Sequence, residues 1–316
     1  MKAGSERQVE QLRVSVFNGA WNLPIWVAQK QGFFDAASID VQVLPTRSSG
    51  ALMQGLYGGE VEIALAGADN FLAYEQGTGE ADVRKGDELR IVMGGDGGFL
   101  KLVAQAAHQS IAQLRGKSIG VDALTTGFAF VVRELLRRNM VTEASVNWLP
   151  IGGTETRYAA LLQQKCDATL LRLPYDLMAQ TAGANILAAG EELGPYQGTV
   201  AAVRRRWAEA HPERLIAFIR GYARGLRWCD DPANRQPSID ELQERLDLSS
   251  EALAADVLDK LFAAGGLRRD MRIDRTGLAT VIELRQRYAG GRLSIDSSCG
   301  LIDETFLRSA GVPVSA

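Results

Sequence analysis

The sequence predicts an α/β protein made of two lobes, and three observations carry that reading. From Leu12 to Leu171, short β-branched apolar runs alternate with helical segments across glycine- and serine-rich loops. Gly94-Gly95-Asp96-Gly97-Gly98 interrupts the alternation once, after which it restarts. From His211 onward it gives way to amphipathic helices. The chain has 316 residues, and at about 100–200 residues per domain this means two domains or one domain with two lobes.

The elements follow in order. Leu12–Phe17 is apolar and β-branched, a first strand, and the turn-rich Asn18–Pro24 leaves it. Ile25–Gln31 reads as a short helix stopped by Gly32, and Ile39–Leu44 as a strand. Ser48-Ser49-Gly50 opens a helix that ends at Gly58-Gly59. Val61–Ala66 is a strand, Asp69-Asn70 starts a helix reaching about Gln76, and Leu89–Met93 is a further strand. These short connections argue for a largely parallel sheet. Beyond the glycine run, Leu100–Ala106 is a strand and Leu114–Val121 a turn and a strand. Thr125-Thr126-Gly127 opens the helix Phe128–Asn139, and Val146–Pro150 is a strand. Gly152-Gly153-Thr154 opens the helix Glu155–Gln164, and Cys166–Leu171 is a strand followed by the loop Arg172–Tyr175. Thr199–Val203 is a last short strand. His211-Pro212 starts a long helix with Leu215, Ile216, Ile219, Tyr222 and Leu226 at helical spacing, and Ser249–Ala264 and Thr276–Tyr288 follow as helices.

Composition removes several function classes. Hydrophobic residues make up 46% and charged residues 23%, enough apolar side chain to bury a core. A net charge of −3 gives no overall basic surface to hold nucleic acid. Two histidines and three cysteines, with no CxxC, HExxH or HxH, predict neither a metal site nor a disulfide framework. No cofactor fingerprint occurs, since the Gly94–Gly98 run lacks the GxGxxG spacing and no GKS or GKT is present. No run approaches the roughly 18 apolar residues of a membrane span. Met1–Leu12 has no apolar core of an export signal as written. Two locations stay open: the periplasm, for a chain whose signal has been removed, and the cytoplasm.

Five stretches, in order, resemble the periplasmic solute-binding proteins of ABC importers, in the branch that binds sulfonates, taurine and thiamine-pyrimidine precursors. They are Leu23–Val43, Ala51–Asp69, Ser110–Asp122, Gly152–Gly183 and His211–Trp228. Cys166 stands where that family usually has glycine, and Glu62 where it usually has aspartate. The resemblance implies a type II periplasmic-binding-protein-like fold with a ligand cleft between the lobes and extra C-terminal helices. Residues 10–97 with 200–316 would form one lobe and 98–199 the other, with crossovers near 94–100 and 195–200. It also implies a small organic ligand, an ABC permease as partner if the chain is exported, and a monomer.

In open α/β sheets, ligands bind beyond the carboxyl ends of the strands. The candidate ligand-binding residues are therefore Asn18, Trp21 and Asn22 in the first loop, Ser48, Ser49 and Gly50 in the second, and Gly67, Asp69 and Asn70 in the third. The second lobe offers Thr125, Thr126 and Gly127, then Gly152–Thr154, then Arg172 and Tyr175. The Ser48–Gly50 and Thr125–Gly127 helix starts have two readings, ordinary N-capping or an anion site on free N–H groups. Trp21 would stack on a flat ligand or pack against Phe17 or Phe34. Arg172 would clamp a carboxylate or sulfonate or make a surface ion pair. Arg157, inside its helix, reads as structural, and Arg204-Arg205-Arg206 as a solvated face.

The same fold also hosts enzymes. The thiamine-pyrimidine synthases, which resemble this branch, need a cleft histidine. His108 reads as a surface-loop residue and His211 as a helix start, so neither supplies one. The sulfinate desulfinases, also similar in fold, use a cysteine in the first lobe, and none precedes Cys166. The menaquinone-pathway enzymes need neither residue and stay open. Cys166 reads as a small buried hydrophobe, Cys229 as a helix end and Cys299 as an exposed turn residue. The preferred reading is a solute-binding protein for a small organic molecule, a sulfonate, a carboxylate or a pyrimidine-like compound. A cytoplasmic enzyme is the alternative.

Overall fold

A computed structural model describes residues 10–83, 88–290 and 299–312. The first sheet holds β1 (Glu10–Phe17), β2 (Ile39–Thr46), β3 (Ile63–Gly67), β4 (Leu89–Gly94) and β10 (Thr199–Arg204), in the order β2-β1-β3-β10-β4. The second holds β5 (Lys101–Ala104), β6 (Ser118–Val121), β7 (Asn147–Pro150), β8 (Ala168–Leu171) and β9 (Asn185–Ala189), in the order β7-β6-β8-β5-β9.

The expected parallel sheets are only partly so. β1 runs parallel to β2 and β3, and β6 parallel to β7 and β8. β10 is antiparallel to β3 and β4, and β5 antiparallel to β8 and β9. The cause is topological. The other strands run toward the cleft, whereas β5 and β10 each follow a crossover and enter their sheet from the cleft end, so they run away from it.

The two crossovers lie side by side. Gly95 N–H donates to Thr199 O at 2.8 Å and Gly198 N–H to Asp96 O at 2.8 Å. Gly98 adopts φ +103°, a left-handed conformation that glycine accepts without steric cost. A C-terminal segment covers them. Gly94 N–H donates to Met271 O at 2.8 Å, and Arg268 N–H to Gly95 O at 2.8 Å.

The helices of the first sheet's side are α1 (Leu23–Lys30), α2 (Ser49–Gly58) and α3 (Ala68–Glu75). On the second sheet's side lie α4 (Gly127–Arg138), α5 (Thr154–Leu162) and α6 (Tyr175–Thr181). The C-terminal part adds α7 (Arg205–Ala210), α8 (Pro212–Asp230), α9 (Arg235–Leu246), α10 (Glu251–Phe262), α11 (Arg275–Ala289) and α12 (Thr305–Ser309). Five elements, the five-residue α12 among them, were not visible in the sequence pattern. α6 and α7 are too short for periodicity, and β9 has only Ile186 as a β-branched residue. α9 begins RQPS, and proline in a first turn removes no intrahelical bond yet reads as a breaker.

One apolar cluster packs α1, α8, α9 and α10 onto the first sheet through Trp26, Phe34, Phe218, Leu242 and Leu258. A second cluster is continuous across both lobes. It joins Leu56 and Phe71 of the first lobe, Phe130 and Leu135 of the second, and Leu278, Val281 and Ile282 of α11.

Two surface expectations are corrected. His108 is buried, and its ring contacts Asp167 Oδ1 at 3.1 Å in the loop after β5. Of the arginine run only Arg204 departs from a solvated face, donating to Val61 O at 2.9 Å; Arg205 pairs with the exposed Glu88 and Glu209, and Arg206 is exposed. The expectation for the Cys299 side chain lies outside the described residues.

Candidate functional site

The strand ends of the two sheets face one another across a cleft of about 230 Å³. Of the sequence-predicted residues, Trp21, Ser48, Ser49, Gly50, Gly67, Asp69, Asn70, Thr126, Gly127, Gly152, Gly153, Thr154 and Arg172 line it. Four do not. Asn22 is buried, and its amide donates to Phe17 O at 2.7 Å, closing its own loop. Asn18 donates to the Tyr175 hydroxyl at 3.4 Å, so these two join the lobes to each other beside the cleft. Thr125 turns outward and gives its N–H and hydroxyl to Glu80.

Arg172 does not stand free as a ligand clamp. It is 4% exposed and follows β8 directly. Its Nε donates to Gly98 O at 2.5 Å, and its Nη2 to Asp96 Oδ1 at 2.9 Å and Thr199 Oγ1 at 3.1 Å. These partners sit on the first crossover and at the start of β10, so the guanidinium ties the second lobe to both crossings. Burial pushes its pKa down, and the Asp96 carboxylate opposes that. The guanidinium also lies 3.7 Å from the centre of the Trp21 ring. Gly19 sits so close to the six-membered part of that ring that an added Cβ would fall 2.2 Å from it. With Trp21 only 3% exposed, the indole is committed to the protein and does not offer a free face for stacking.

The α4 end of the cleft is filled in the same way. Thr126 Oγ1 caps the helix by accepting from Ala129 N–H at 3.5 Å, and its hydroxyl donates to Asp122 Oδ1 at 2.5 Å. Asp69, from the first lobe, accepts a hydrogen bond from Gly127 N–H. The approach is tight enough that a Cβ on Gly127 would lie 2.6 Å from the Asp69 Cβ. Arg285 completes the group, with Nε 2.7 Å from Asp69 Oδ1 and Nη2 3.2 Å from Oδ2. Burial pushes the Asp69 carboxyl up, and Arg285 opposes it. The anion expected at Thr125–Gly127 is thus already present as the chain's own carboxylates.

The α5 end differs. No side chain caps this helix, whose N-cap is Gly153, so its first N–H groups have no intrahelical acceptor. Arg157, one turn in, is 1% exposed and lines the same cleft. Its Nη1 donates to Gly152 O at 2.6 Å, its Nη2 to Thr154 Oγ1 at 3.3 Å and Leu170 O at 3.1 Å, and its Nε to Leu170 O at 3.3 Å. All these acceptors are neutral. Burial pushes its pKa down, with the charge of Asp122 the first influence against that. A guanidinium held by carbonyls beside free helix N–H groups is an anion-accepting corner.

Sequence reasoning assigned Arg157 to structure because it lies within a helix rather than in a loop. The cleft also takes in Phe17, Arg47, Phe128 and Tyr196. Phe17 ends β1 and Phe128 lies in the first turn of α4, positions one residue from the loops that were searched. Tyr196 lies in the return crossover, which was read only as a hinge. Its hydroxyl has no hydrogen-bond partner among the described residues. Among the described residues no group of three His, Cys, Asp or Glu side chains is placed to hold a metal. No described helix is long and apolar enough to cross a membrane.

Two mixed α/β sheets, paired crossovers and a cleft at the strand ends define a two-lobed protein of the periplasmic-binding-protein type. Comparison with known proteins agrees. The chain belongs to the NMT1-like family, whose model matches residues 5–242. No curated protein matches it. Among solved structures, it is similar to the periplasmic nitrate-binding protein NrtA from Synechocystis PCC 6803, at 14% identity and TM-score 0.80, over 98% of this chain and 92% of that one. It is similar to the alkanesulfonate-binding protein SsuA from Xanthomonas axonopodis pv. citri bound to MOPS, at 18% identity and TM-score 0.70, over 95% and 97%. A DszB variant in complex with biphenyl-2-sulfinic acid also matches, at 15% identity and TM-score 0.66, over 96% and 99%. At these identities the likeness carries the fold.

Proposed function

We propose that the chain is the solute-binding component of an ABC-type importer, acting outside the cytoplasm and capturing a small organic acid by closing its lobes. The observation that carries the anionic part is the α5 corner, where Arg157 is buried with no ionic partner among the described residues, next to an uncapped helix start. The half-buried rings of Phe17 and Phe128 supply an apolar wall for the rest of the ligand. The role in import rests on the family and on the printed roles of the nitrate- and alkanesulfonate-binding neighbours. Closure would present the transporter with a distinct ligand-bound shape.

The test is a thermal-shift screen with sulfonates, carboxylates, aromatic acids and neutral pyrimidines, followed by native mass spectrometry. A ligand that binds only the folded state raises the melting temperature by mass action. A shift with acids, recovered unchanged, is the expected result. A shift with neutral pyrimidines alone would sink the anion reading. Recovery of a converted compound would replace the receptor by an enzyme.

A further inference from the structure

The C-terminal helix α11 lies beyond the residues matched by the family model, yet it contacts Asp69, a residue of the cleft wall. Its first residues are fixed to the return crossover. Asp274 N–H donates to Gln197 Oε1 at 2.7 Å, and a Cβ on Gly277 would fall 2.6 Å from the Tyr196–Gln197 backbone. At its middle, Arg285 bonds the first lobe through Asp69 and through Thr78 Oγ1 at 3.0 Å. The same guanidinium donates to Thr125 O of the second lobe at 3.4 Å. At its end, Arg287 Nη1 and the Tyr288 hydroxyl donate to Glu134 Oε2 on α4, at 2.8 and 2.9 Å. Tyr288 stacks on Phe130 of α4 with ring centroids 5.9 Å apart.

We propose that α11 is a latch between the lobes, and that Arg285 is a positioning residue of the cleft, holding Asp69 of the first lobe on the N-terminal end of α4 in the second. The helix is anchored at the crossovers and grips each lobe beyond them, so the lobes cannot separate without breaking one of its two sets of contacts. Because Asp69 and Gly127 both line the cleft, breaking the Arg285 contact also changes the wall the ligand meets. The apolar cluster running from Phe71 through Ile282 to Phe130 fits this role.

The latch is read without any ligand, so its failure and a failure of the solute-binding reading are separate results. Spin labels at Leu44 and Leu124, exposed near the cleft-side ends of the two lobes, report lobe separation by pulsed electron resonance. Cys299 is first replaced by serine, and the buried Cys166 and Cys229 are left in place. The parent protein should give one short separation. Arg285→Met should move at least half of the population to a longer one, and Arg285→Lys should restore part of the short population. The double variant Asp69→Asn with Arg285→Met removes both buried charges together and should show the same lengthening while still melting cooperatively. Arg287→Gln with Tyr288→Phe removes only the hydrogen bonds to Glu134 at the end of the helix and should give an intermediate shift. If these folded variants keep the short separation, or if the parent protein already populates mainly the long one, the latch is overturned.

Discussion

The two helix starts that the second lobe presents to the cleft look alike in sequence and behave differently. Thr125-Thr126-Gly127 carries hydroxyls and a glycine, the expected pattern for an anion site. In the folded protein, Thr126, Asp122 and Asp69 occupy that end. Gly152-Gly153-Thr154 has the poorer pattern, and it is the end left uncapped with a buried arginine beside it. The two cleft arginines divide in the same way. Arg172 is committed to Asp96 and the crossovers, while Arg157 has only neutral acceptors. A charge close to the cleft is available to a ligand only if the fold has not already given it an opposite charge.

The strongest way to break this comparison is at Asp96. Asp96→Ala leaves Arg172 buried without its counter-ion, and the expected loss of stability is about 3–5 kcal/mol by chemical denaturation. A loss below about 1 kcal/mol would mean that the Arg172 charge is not committed to the crossovers and is available to a ligand.

Asp176 in α6 applies the same logic to a carboxylate with no ion-pair partner among the described residues. It is 2% exposed, its Oδ1 has no hydrogen-bond partner, and burial raises its pKa to about 6. Between about pH 4 and pH 6 the folded state therefore holds more protons than the unfolded state, and this group's contribution to stability falls as pH rises. The wild type should lose about 3 kcal/mol relative to Asp176→Asn across that window. Melting curves of the two proteins should converge near pH 4 and separate by pH 7, and curves that stay parallel would refute the assignment.

At the α5 corner the effect should appear in binding. Arg157→Met is expected to weaken an acidic ligand by about 1.5–3 kcal/mol, tenfold or more, measured by calorimetry. An equal effect on a neutral ligand would show that the arginine acts by shaping the cleft and not by its charge.

The smallest change in stability should come from Gly153→Asp, which gives α5 the cap it lacks. The extended backbone there, at φ −59° and ψ 167°, suits a capping residue, and once Arg47 O, 3.3 Å from the added Cβ, has given way slightly the gain should be a few tenths of a kcal/mol. The new carboxylate would also occupy the anion corner, so acid binding should fall while stability rises. A variant that is more stable and still binds the acid at full strength would place the acid elsewhere.

Much of the fold was legible in the residues. Strand and helix periodicity located most elements, and Ser48, Thr126 and Ser250 mark helix starts as N-caps that accept from the third residue on. The glycine-rich crossing at Gly94–Gly98 was legible as well. α6, α7 and β9 were missed because a pattern needs length to repeat. The cleft loops were found because ligand sites lie at strand ends. Phe17, Phe128 and Arg157 were missed because they sit just inside an element, where a loop search stops.

By itself, the sequence determined the class of fold, the order of its elements and the edges from which a cleft is built. These follow from hydrophobic period, turn chemistry and capping, which act over a few residues. Only the tertiary structure decided which charges remain for a ligand. Arg172 meets Asp96 across 76 positions, and Asp69 meets Arg285 across 216. No local pattern encodes such pairs. They form because a charge taken out of water must find an opposite charge or hydrogen-bonding partners, and the fold alone determines what lies within reach.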